Sequence, residues 1–71
     1  MSEQAQATLQ AFSGAIIETV QAAGPKGAPE GPMYAAFMSY GIDLNTFNLL
    51  VDYCIRSGKI RRSGHVLYAV E

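Results

Sequence analysis

The chain holds one cysteine, one histidine and no tryptophan, and no apolar run in it approaches the ~18 residues that cross a bilayer. Each scarcity closes off a class of function. Cys54 has no second thiol for an internal disulfide, and with His65 it falls short of the ligand set of a zinc site, so neither metal nor cofactor is expected. The stretch Met1–Gln6 lacks the positive start and continuous apolar segment of a secretory signal, which makes the cytoplasm the expected compartment and a membrane no partner. No carboxylate, serine or cysteine has an obvious catalytic companion at useful spacing. A non-enzymatic protein without a small-molecule substrate is therefore expected. Charge is sparse as well: 15% of residues are charged and the net charge is −1, unusual for a protein that lives mainly on nucleic acid.

What the chain does have is apolar residues, 49% of the total, which argues for a packed globule. Its 71 residues make one domain, 1–71, with residues 1–5 expected as a disordered tail. From Ala5 to Ala23, Leu9, Phe12, Ile16, Val20 and Ala23 recur at gaps of three and four, the period of a helix with one buried stripe. Gly24-Pro25 ends it. Residues 24–31 read as a loop by their glycine and proline content, with a one- or two-residue strand around Ala28 able to pair with a later hairpin.

Pro32 suits the first position of a second helix, whose periodic face would be Met33, Ala36, Phe37 and Tyr40, with Gly41 as its stop. Asp43 is a good N-cap for a third helix, and Ile42 with Phe47 forms the apolar pair that staples such a start. That helix should bury Phe47, Leu50, Val51, Cys54 and Ile55, which makes Cys54 a structural thiol. Ser57-Gly58 closes it. Lys59–Arg61 then reads as a short strand, Ser63-Gly64 as a turn, and His65 to Val70 as the return strand. In the return strand Val66, Tyr68 and Val70 share one face and His65, Leu67 and Ala69 the other; one face must close the core.

Helix, loop, helix, tight turn, helix, and then the run from Gly58 through Lys59, Ile60, Arg61, Arg62, Ser63, Gly64, His65, Val66 and Leu67 to Tyr68, resembles the winged helix-turn-helix family of small DNA-binding domains. The resemblance covers nearly the whole chain and lies in architecture, without a diagnostic motif. It implies a mainly α fold of three helices with a C-terminal two- or three-stranded wing. It also implies that the third helix enters the major groove of double-stranded DNA while the wing touches the backbone or minor groove. By position it assigns base reading to Asn45, Thr46, Asn48, Asp52 and Arg56, and phosphate contact to Arg61, Arg62 and His65, beside which the cation Lys59 is a further candidate for phosphate. The chain departs from the family's chemistry in having no Lys or Arg on helix three before Arg56.

Two readings of the same surface stay open. The outer side of helix three carries Asn45, Leu49, Asp52 and Arg56, flanked by Thr46, Asn48 and Tyr53. Asn and Arg are suitable base readers, whereas Leu49, Asp52, Tyr53 and Arg56 form a contact set for a protein partner. The wing cations serve either to neutralise phosphates or to protect a strand edge. Expected functions are thus a small DNA-binding regulator, or a protein-interaction module such as a bacterial or phage inhibitor or assembly factor. On helix one the small residues Ala7, Ala11 and Gly14, with Glu18, mark a face on which a homodimer would pack.

Overall fold

The computed structural model describes the backbone of residues 3–70 and the side chains of residues 9–70. Met1 and Ser2 of the expected tail, and the side chain of Ala7, lie outside the described residues. In chain order the elements are α1 (Glu3–Ala23), a 3₁₀ turn (Gly24–Lys26), β1 (Ala28–Pro29), α2 (Glu30–Met38), α3 (Leu44–Arg56), β2 (Ile60–Ser63) and β3 (Val66–Ala69). The strands form one antiparallel sheet in the order β1-β3-β2. Three helices with a C-terminal hairpin, and a short strand between the first two helices completing the sheet, give a winged-helix-like topology.

The core follows the expected stripes. Ile16 and Val20 of α1, Phe47, Leu50, Val51 and Cys54 of α3, and Ile60 and Leu67 of the hairpin are buried together, with Ile55 half-buried. The Leu67–Ala69 face of β3 is the one that closes the core. Phe47 packs edge-on to Phe37 at 5.8 Å between centroids and tilted against Tyr34 at 5.4 Å, while Phe12 meets Phe37 edge-on at 5.5 Å. Pairs of this geometry add about 0.5–1.5 kcal/mol each beyond their buried area. One polar residue joins the core: the Ser13 hydroxyl is buried and finds no hydrogen-bond partner among the described residues, while the Ser13 carbonyl accepts from the Cys54 thiol at 3.5 Å.

Helix α2 departs from expectation at both ends. It starts at Glu30, two residues before Pro32, with Pro29 extended as its N-cap. The first four N–H groups of a helix have no intrahelical partner, so a proline third from the start loses no more than one at the first position. At the other end, regular helix stops at Met38. Gly41 (φ 85°) donates to the Met38 carbonyl and Ile42 to the Phe37 carbonyl, the paired bonds of a glycine-terminated helix. Tyr40 lies in this terminating turn and is 73% exposed, resting only its edge near Phe12 at 6.3 Å. Ala36 is also exposed, so the buried face of α2 is Met33 and Phe37, with Tyr34 half-buried.

The hairpin turn lies one residue later than expected. Gly64 and His65 form a two-residue loop with a positive φ at Gly64 alone, the arrangement of a type II′ turn, and Ser63 pairs with Val66. Before β1, the 3₁₀ turn presses against the outer face of β3. A Cβ built on Gly27 (φ 77°, ψ 175°) would sit 2.6 Å from Val66 Cγ1 and 2.7 Å from the Tyr68 ring, so only glycine fits there.

Candidate interaction surface on helix three and the wing

Asp43 caps α3 as its position predicts. Its carboxylate accepts from the Thr46 N–H at 2.8 Å, and this bond holds the carboxyl below the usual aspartate range. The apolar side of α3 is consumed by the core, so the helix presents its other side to solvent. Asn45, Thr46, Asn48, Asp52 and Arg56 are exposed there, with Leu49 at 66% and Tyr53 at 46%. Leu49 and Tyr53 are four residues apart and therefore neighbours on the helix surface. Burial pushes the Cys54 thiol up, as suits a packed, unreactive side chain.

The hairpin does not gather its cations into one patch. Because side chains alternate across a strand, Arg61 and Arg62 point to opposite faces of the sheet. Arg61 pairs with Tyr68 on the outer face and lays its guanidinium over that ring, 4.5 Å from the centroid. It borders an outer cavity of about 500 Å³ that Gln21, Pro25 and Val70 also line. Arg62 stands on the helix side, opposite Leu67, and its Nε donates to the Glu30 carboxylate. A cation so paired is partly neutralised before it meets any phosphate. Lys59 is exposed at the base of the hairpin, away from its tip.

His65, at the tip, does come close to helix three. It shares a groove of about 280 Å³ with Glu30, Tyr34, Leu44, Phe47 and Asn48, where the start of α2, the start of α3 and the wing turn converge. The groove floor is aromatic and aliphatic and its rim polar. Leu44, 53% exposed, and Glu30 belong to this surface although neither stood out in the sequence. The observed turn at Gly64-His65 sets Arg61 opposite Tyr68, where the expected turn at Ser63-Gly64 would set it opposite Val66; nothing local marks Glu30 as the partner of Arg62, because 32 residues separate them.

On the opposite side of the molecule, Ala11, Glu18 and Ala22 of α1 are exposed and Gly14 is half-buried. A Cβ on Gly14 would meet nothing within 4 Å, so no packing inside the chain calls for glycine there. Among the described residues no group of three or more His, Cys, Asp or Glu is placed to hold a metal ion, and no helix is long and apolar enough to cross a membrane. No protein-family model, curated protein or solved structure matched the chain.

Proposed function

We propose that the chain is a winged-helix docking domain that acts by binding a protein partner through the outer face of α3, without catalysis. The observation that carries this reading is the character of that face: Leu49 and Tyr53 stand exposed one turn apart, beside Asp52, with no cation before Arg56. Desolvating a leucine and a tyrosine is favourable against protein, and binding energy concentrates in a few such residues with aromatics and arginine enriched among them. Against DNA the same residues offer a carboxylate and a leucine where phosphates and polar base edges would lie. Leu49→Asp should weaken partner capture by about 2 kcal/mol or more, a hot-spot-sized loss, while the melting temperature holds because the side chain points away from the core. Equal capture of the same partner by wild type and mutant would remove α3 from consideration.

A second reading, binding of double-stranded DNA as a regulator, is favoured by one specific feature. Asn45, Asn48 and Arg56 are side chains suited to reading base edges, and all three project outward from α3. With Arg62 held by Glu30 and Arg61 stacked on Tyr68, the cations expected to meet DNA that are left free for phosphate are Arg56 on α3 and Lys59 at the base of the hairpin. Two contacts give a log–log salt slope of about −1.8 per protomer. A fluorescence-anisotropy titration over a range of salt separates the readings: a slope near that value with affinity lost in Arg56→Ala supports DNA, and a flat response excludes it.

A further inference from the structure

The sheet has two edges, and they differ. β1 is two residues long and ends in a proline, which has no N–H to offer. β2 is the other edge, four residues long and unpaired on its outer side. Its free groups follow from the turn. In a two-residue hairpin the closing pair, Ser63 and Val66, exchanges hydrogen bonds, and the bonded positions then alternate to Arg61 and Lys59. The Val70 N–H donating to the Lys59 carbonyl at 3.0 Å agrees with that phase. The N–H and C=O groups of Ile60 and Arg62 consequently point outward, and no backbone group of the described residues outside the sheet bonds them.

Charge says what fits this edge. No acidic residue occurs from Tyr53 to Val70, and Lys59 and Arg61 lie on one face of the strand. A second copy of the chain is a poor occupant. Antiparallel pairing of two β2 strands through Ile60 and Arg62 would set Arg61 directly against its own twin, and like charges directly opposite are destabilising. The geometry points to β2 as a docking edge for an extended, acidic segment of a partner protein, which adds as a fourth antiparallel strand and sets carboxylates at alternate positions opposite Arg61 and Lys59. Residues between those carboxylates fall opposite Ile60 and Arg62, on the helix side, where a β-branched apolar side chain packs best. The proposal concerns a different surface from α3 and stands independently of the reading given above.

A seven-residue peptide of alternating valine and glutamate, capped at both ends, is the probe. Titrated into ¹⁵N-labelled protein, it should shift and protect the Ile60 and Arg62 amides, with a dissociation constant below about 1 mM, as edge-strand addition by a short peptide gives. Arg61→Glu, at an exposed site, should weaken binding about tenfold, and a lysine-for-glutamate peptide should not bind. A peptide N-methylated at the residues facing Ile60 and Arg62 keeps its charge but loses the strand bonds; it should fail. Equal binding of the N-methylated peptide would mean charge attraction alone and overturn the proposal, as would absence of binding at millimolar peptide. A dimer through β2, seen by sedimentation and broken by Arg62→Pro, which removes an outward N–H, would overturn the choice of occupant.

Discussion

Gly27 and Ser13 are the two residues whose chemistry the fold constrains most visibly, and in opposite senses. Gly27 occupies a backbone region that is nearly glycine-only, and its missing side chain leaves room for Val66 and Tyr68. Gly27→Ala should cost about 1–3 kcal/mol from the backbone alone, a large share of the stability of so small a domain. Urea denaturation at 25 °C reads this directly, and an unmoved midpoint would show that the turn relaxes away from β3. At Ser13 the strain is electrostatic. A buried hydroxyl without a partner has lost its water for nothing, so Ser13→Ala should stabilise by about 1 kcal/mol and raise the melting temperature by about 4–8 °C. The Cys54 contact survives that change because it is made to the Ser13 main chain. Loss of stability in Ser13→Ala would place an unseen partner on the hydroxyl.

At the scale of elements, the start of α3 is fixed by the side chain of Asp43, the residue that caps it. The Thr46 N–H lowers the carboxyl of Asp43 below the unfolded value of 3.8, so the ionised form contributes stability that is complete above that value and disappears as pH falls through the lowered folded one. Asparagine caps a helix comparably but does not titrate. The melting-temperature difference between wild type and Asp43→Asn should therefore stay constant above about pH 5 and change in favour of the mutant below about pH 4. A difference that is flat throughout would mean that the cap bond does not form in solution. The same element shows why some of the fold was legible in the sequence. Its cap, its buried side and its terminating glycine are all local, so spacing alone located them. Spacing places the start of α2 two residues late, at Pro32, because proline is tolerated at more than one position in a first turn, and the pairing of Pro29 with Val66 decides between them. The candidate surface was legible as a set of exposed residues on α3. Its division was not: which way Arg61 and Arg62 face follows from the register, and their partners Tyr68 and Glu30 are set by tertiary contact.

At the scale of the whole molecule, about 36 × 23 × 18 Å, the α3 face and the small-residue face of α1 are separate surfaces, since each helix gives its other side to the core. A homodimer through Ala11, Gly14 and Glu18 would leave α3 free, and a twofold axis would present two copies of it to a partner or to a palindromic site. Ala11→Arg should then yield a folded monomer by sedimentation, whereas a wild type already monomeric at high micromolar concentration rules the dimer out. Within the monomer, Glu30 has a consequence for motion. Its N–H donates to the His65 carbonyl at 2.9 Å and its carboxylate holds Arg62, so the first residue of α2 grips the hairpin both in its turn and on the strand leading into it. A wing fastened in this way is no independent flap. Its amides should exchange with solvent at the rate of α2, because opening one releases the other, and the hairpin and the second helix form a single unit of local unfolding.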